Sequence, residues 1–194
     1  PLALGFGLIA PFAAVVCYAV SRALEKGEIL SWSGVLGAVG GTTKSDLRWM
    51  ALVTSFAFFL WMDIAAILFL SIMGFDALGP QFFELVFTTP TGWLFLLVGN
   101  AVGAVIAFMV FSICVVSFPM LLARDVDFAT AMVTSVKVVI ANPATMFVWL
   151  IIIGLLTGIS VLSGFIGLFV MLPVVGHATW HLYRRAVAHE TAEL

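Results

Sequence analysis

Long apolar runs alternate with short polar segments along almost the whole chain. The first run covers Pro1 to Val20 and is apolar throughout except for Tyr18; it ends at Ser21-Arg22. The second runs from about Leu47 to Met73, the third from about Trp93 to Leu122, the fourth from about Met146 to Leu162 and the fifth from about Phe165 to Tyr183. A helix needs about 20 apolar residues to cross the hydrocarbon core, and each run approaches or exceeds that length. Only a helix satisfies the backbone of a lone segment in lipid, where each unpaired group costs several kcal/mol. The pattern predicts an all-α polytopic transmembrane bundle, one membrane domain over residues 1–194. The last two runs are separated only by Ser163-Gly164, which predicts a tight helical hairpin.

The charges give this bundle an orientation. Arg22, Lys26, Lys44, Arg48, Arg124, Lys137, Arg184 and Arg185 all fall in or beside segments 21–46, 121–143 and the tail after Tyr183. The connections around Met73 to Thr91 and at Ser163-Gly164 contain no Lys or Arg. Cytoplasmic loops are enriched in these residues, so the basic segments and the C-terminus are expected in the cytoplasm. Segment 74–92, with Asp76 and Glu84, is expected outside. Five crossings then place Pro1 outside, and a sixth span upstream is expected in the natural protein.

Two of the cytoplasmic connections carry helical patterns of their own. In Asp127 to Ala141, the residues Phe128, Met132, Val136 and Val139 lie close to one face; in Ile29 to Val39, Trp32 is available as an interfacial anchor. Both segments fit short helices in the headgroup plane, or re-entrant packing helices. Arg22, Arg124, Trp180, Tyr183 and Arg184 are the further interfacial candidates.

Composition narrows the function classes. The chain is 63% hydrophobic and 9% charged, against about 45–50% and roughly 25% for a soluble domain. This excludes a water-soluble globule and leaves no room for a soluble catalytic domain. The net charge of −2 and the absence of a dense basic cluster give no sign of nucleic acid binding. Cys17 and Cys114 both lie within apolar runs, where thiols act as small hydrophobes.

The first and last runs echo each other. Pro11, Tyr18 and Arg22 recur at the same spacing as Pro173, Trp180 and Arg184. Repeats of this kind occur in transporters, but two helices that end at the same membrane face produce them too. The segments GFGLIAPFAAVVCYAVSRALEKGE, SFPMLLARDVDFATAMVTSVKVVIANP and LPVVGHATWHLYRRAV together resemble a bacterial family of integral membrane proteins, domain of unknown function 2189. The resemblance runs from about Gly5 to Val187. It implies an inner-membrane protein of proteobacteria with about six spans, and it carries no established reaction and no catalytic residues.

Few residues could carry chemistry. His177 and His181 are four apart on the last span, so they share one face and could ligate a metal or haem; hydrogen bonding to neighbouring helices is the structural alternative. Asp63 lies inside the second span, where a carboxylate costs about 2.5–3.5 kcal/mol. It must be protonated, paired or turned to a protein interior, with Asn100 or Ser117 as possible partners. Gly99 with Gly103, and Gly154 with Gly158, form small-xxx-small patterns that let helices approach closely, within the chain or between chains. Arg124, Asp125 and Asp127 form a charge cluster that suits the cap of the helix that follows. No nucleophile elbow, HExxH or phosphate-binding glycine loop occurs.

Three functions remain. The first is a non-catalytic accessory subunit or assembly partner of a larger inner-membrane complex, respiratory or photosynthetic, with lipid and other membrane subunits as its partners and no cofactor. The second is a small-solute or ion transporter that uses Asp63. The third is a haem- or metal-binding membrane protein that uses His177 and His181. The first is the reading preferred from sequence.

Overall fold

The computed structural model describes residues 2–29, 31, 33, 34, 37 and 44–190. Among these, the chain is all-helical and contains no strand. Helix α1 is Leu2–Glu25, α2 is Lys44–Met73, α3 is Phe82–Thr88 and α4 is Pro90–Cys114. They are followed by α5 (Ser117–Ala123), α6 (Phe128–Ala141), α7 (Pro143–Leu162) and α8 (Leu168–Glu190). A short 3₁₀ turn, Phe75–Ala77, lies between α2 and α3. The expected interfacial helix at 29–39, with Trp32, lies for the most part outside the described residues.

Among the described residues, three segments are long and apolar enough to cross a membrane: Asp46–Met73, Pro90–Ala123 and Pro143–Leu162. They are the second, third and fourth of the five expected spans. The fifth expected span, α8, carries His177, His181, Arg184 and Arg185 among its 23 residues, and these polar groups dilute its apolar character.

The chain forms two compact units, residues 1–53 with 111–194, and residues 54–110. The first unit is built around α1, α5, α6 and α8. Its core includes Val15, Tyr18, Met50, Val116, Leu121 and Trp180. Helices α1 and α8 run parallel: Cys17 lies against Gly176, Ser21 against His177, and Glu25 against Trp180 and Arg184. The echo between the first and last runs is therefore a packing relationship, since Tyr18 stacks on Trp180 with ring centroids 6.5 Å apart.

The α7–α8 turn follows the Schellman pattern. Phe165 N–H donates to Ser160 O at 3.0 Å and Gly164 N–H to Val161 O at 3.1 Å. Gly164 sits at φ 66°, in the left-handed region where a side chain is penalised.

The third expected span is not one continuous helix. It breaks after Cys114, and α5 begins at Ser117. In an unbroken helix Val116 N–H would donate to Ser112 O. Instead it donates to Ser135 Oγ at 3.1 Å, and Ser135 Oγ donates to Ser112 O at 2.7 Å. The hydroxyl of an α6 residue is thus inserted into the backbone ladder, a recognised cause of helix kinks. Ser135 is completely buried.

Helix α6 accordingly packs through Ala131, Ser135, Val138 and Val139. The expected face of Phe128, Met132 and Val136 is only partly buried at its flank, because the packed face centres on the serine that the kink requires. Asp127 caps α6 as expected, accepting from Thr130 N–H at 2.9 Å and from Thr130 Oγ1 at 2.6 Å. These bonds hold its carboxyl below the usual range, chiefly through the Thr130 side chain. A depressed folded value means that the cap stabilises the helix above the unfolded value of about 3.9. That contribution is lost as pH falls through the folded value. The protection of the Thr130 amide against exchange, relative to its intrinsic rate at each pH, should fall on acidification below about pH 4, and Asp127→Asn should remove that dependence; an unchanged profile in the variant would assign it to another group.

The second unit holds α3, the C-terminal part of α2 and most of α4. Here α2 and α4 run antiparallel. A Cβ at Gly103 would lie 3.0 Å from the Trp61 ring, and Phe69 meets Phe95 edge-on at 5.6 Å between centroids.

Candidate functional site

The polar groups of the first unit gather where α1 and α8 end together. Helix α1 carries Ser21, Arg22 and Glu25 in its last turns, and α8 brings His177, Trp180 and Arg184 to the same level. Glu25 accepts from Trp180 Nε1 at 3.0 Å and pairs with Arg184 Nε at 3.3 Å. Ser21 donates to Cys17 O at 3.0 Å and meets His177 Nδ1 at 2.5 Å. With the hydroxyl proton directed at Cys17, Ser21 Oγ receives the bond from Nδ1–H. Glu25 has no motif around it, and sequence reasoning missed it; the signal available was its place one turn beyond Arg22 in the echo of α8.

The two histidines do not converge. His177 is turned towards α1, while His181 is exposed. No group of three potential ligands suited to a metal occurs among the described residues. Trp180 and Tyr183, expected as headgroup-facing anchors, are instead each 1% exposed. The polar tip of Trp180 still finds a partner in Glu25.

Beside this cluster lies a polar cleft of about 200 Å³, lined by Arg22, Asp46, Arg124, Asp125 and the backbone between Leu121 and Val126. Arg22 Nη1 donates to Leu122 O at 2.6 Å, which satisfies a carbonyl at the end of α5. Asp46, in the first turn of α2, accepts from Phe128 N–H at 3.3 Å and so serves as a second cap for α6.

In the second unit, Asp63 sits on the outward face of α2. Phe56, Phe59 and Ile67 follow the same stripe at helical spacing and are each more than 60% exposed. Asp63 is exposed too, and no hydrogen bond or ion pair reaches it among the described residues. Asn100 is also exposed and donates to its own helix, at Leu96 O, over 2.7 Å. The expected pairing of Asp63 with Asn100 therefore does not form; Ser117, in the first unit, bonds Ile113 O of its own segment. The Trp61–Gly103 and Phe69–Phe95 contacts fix the register. That register places Asp63 and Asn100 within one residue of the same level, about 1.5 Å of rise.

Of the four glycines in the small-xxx-small patterns, Gly103 packs against Trp61. At Gly99, Gly154 and Gly158 an added Cβ would meet nothing within 4 Å. Among the described residues, these three positions meet no neighbour within their own units. The close approach that the sequence did not reveal is at Gly176, where a Cβ would lie 2.6 Å from Cys17 Cβ.

A family model described as a predicted integral membrane protein, domain of unknown function 2189, matches residues 1–123. The chain belongs to this family. The match to domain of unknown function 2189 spans α1 to α5 and ends at the last residue of α5. The resemblance read from sequence extended to about Val187; its closing motif, LPVVGHATWHLYRRAV, lies beyond the matched residues. No curated protein and no solved structure matches the chain.

Proposed function

We propose that this chain is a non-catalytic protein of the bacterial inner membrane, an accessory subunit or assembly partner of a larger membrane complex of the respiratory or photosynthetic kind. The observation that carries the reading is Asp63, placed in the middle of an exposed apolar stripe on α2. A carboxyl turned towards hydrocarbon is costly, and such groups face protein or water-filled cavities in membrane proteins. The stripe therefore suits a helix of another subunit that offers a hydrogen-bond donor at the depth of Asp63 and Asn100. The topology is five crossings with the C-terminus in the cytoplasm. The parallel course of α1 and α8 supports it, because a first and a fifth span must run in the same direction.

Purification from native membranes in mild detergent, followed by a native gel and mass spectrometry, tests the reading. A stoichiometric membrane partner is expected with the natural protein. Asp63→Asn should keep that partner, since the amide still donates and accepts, whereas Asp63→Leu should lose most of it. A lone chain in the wild-type preparation would sink the subunit role and make ion-dependent transport through Asp63 the next reading to test.

A further inference from the structure

The cleft between α1, α2 and the α5–α6 connection joins two guanidinium groups, Arg22 and Arg124, with two carboxylates, Asp46 and Asp125. Opposite charges this close would ordinarily neutralise one another. Here no ion pair within 4.0 Å links any of the four among the described residues. Separate bonds hold two of them in place: Arg22 to Leu122 O and Asp46 to Phe128 N–H. A guanidinium has five N–H donors and a carboxylate about four acceptor sites, so each anchoring bond leaves most of the capacity unspent. Asp125 is exposed and has no partner among the described residues.

The lining is neutral overall, with its charges separated. A lone phosphate would meet two carboxylates as well as two arginines, and a lone cation the reverse. A ligand with a phosphate joined to an ammonium matches both halves. Arginine binds phosphate oxygens through parallel N–H bonds, and a carboxylate accepts from an ammonium. A cleft of about 200 Å³ has room for a small headgroup. The basic residues also place this end of the molecule at the cytoplasmic surface, the level at which headgroups lie. We infer that the Arg22–Arg124–Asp46–Asp125 cleft binds a phosphoethanolamine group. This assignment rests on the proposed topology, not on the subunit role.

Native mass spectrometry of the full chain, released from nanodiscs containing equal fractions of phosphatidylethanolamine, phosphatidylglycerol and phosphatidylcholine, tests it. Phosphatidylethanolamine should be retained preferentially. Asp125→Asn alters an exposed group with no part in the packing. Loss of one charge-assisted contact should lower that retention about tenfold and raise phosphatidylglycerol relative to it. Equal retention of the lipids by the wild-type chain, or an unchanged preference in Asp125→Asn, would overturn the proposal. The source is read by adding soluble glycerophosphoethanolamine. Displacement of the lipid at millimolar concentration supports a soluble ligand of the same chemistry, and resistance to displacement supports the lipid itself.

Discussion

Gly176→Leu should unfold the first unit or separate α1 from α8. A Cβ at this position would lie 2.6 Å from Cys17 Cβ and 3.2 Å from Cys17 Sγ. Cys17 Cβ is attached directly to a helix backbone and cannot swing aside as the tip of a long side chain could. One helix must therefore move. Overpacking of this kind costs about 1–3 kcal/mol, occasionally more, and a leucine adds further atoms in the same direction. The displacement would reach the bonds that follow along the same parallel interface, Ser21 to His177 and Glu25 to Trp180 and Arg184. Gly176→Ala gives the sharper comparison. Helix propensity alone favours alanine over glycine by about 1 kcal/mol, so a fall in thermal midpoint would report the clash rather than the backbone. Cys17→Gly removes the opposing Cβ and should recover part of the loss, a coupling that a double-mutant cycle measures. Gly154→Leu is the control, because nothing lies within 4 Å there. Equal stability of Gly176→Leu and Gly154→Leu would show that α1 and α8 do not meet at this point.

The contrast between these glycines marks what could be read from the chain. Hydropathy alone locates helices, because burial of a span in lipid leaves a continuous apolar run. The ends of α2 and α7 accordingly fall within about three residues of the expected runs, a normal margin for helix ends. The Asp127 cap was legible for a local reason: a cap and its amide are three residues apart. The spacing shared by Pro11, Tyr18 and Arg22 with Pro173, Trp180 and Arg184 foretold that two helices end at one face, and they prove to be neighbours. Gly176 was not legible, since a close approach depends on which residue of another helix stands opposite. Glu25 and Asp46 were missed for the same reason; their partners lie far away in sequence. Asp63 was legible as a costly residue, but its orientation was not. The periodicity of α2 is apolar on all sides, and only packing decides which side turns outward.

The break between α4 and α5 was also not read from the chain, although Pro119 marks it, and it yields the second large expected effect. Ser135→Ala should cost about 1–3 kcal/mol, the penalty of a buried polar group left without its bond. Pro119 lies within the apolar run from Trp93 to Leu122 and has no N–H to give Val115 O, which disfavours a straight helix at this point. The neighbouring bond of the ladder is taken by one hydroxyl from α6, which accepts from Val116 N–H and donates to Ser112 O. Alanine removes both functions and leaves two responses. The chain can keep its bend, with an amide and a carbonyl unpaired in a dry core. Alternatively the ladder can close, with Val116 N–H returning to Ser112 O. Closure would shift α5 and pull Phe118, Met120, Leu121 and Leu122 from the positions in which they are buried. Either response lowers stability, and Val116 amide exchange separates them: faster exchange reports the unpaired bend, slower exchange the straightened helix. Because α5 supplies Leu122 O to Arg22 and leads directly into Arg124 and Asp125, straightening would also dismantle the charged cleft, and phosphatidylethanolamine retention should fall with it. A Ser135→Ala chain with wild-type stability and unchanged Val116 exchange would show that the bend is fixed by packing alone, with the serine merely filling a space that the two helices had already left open.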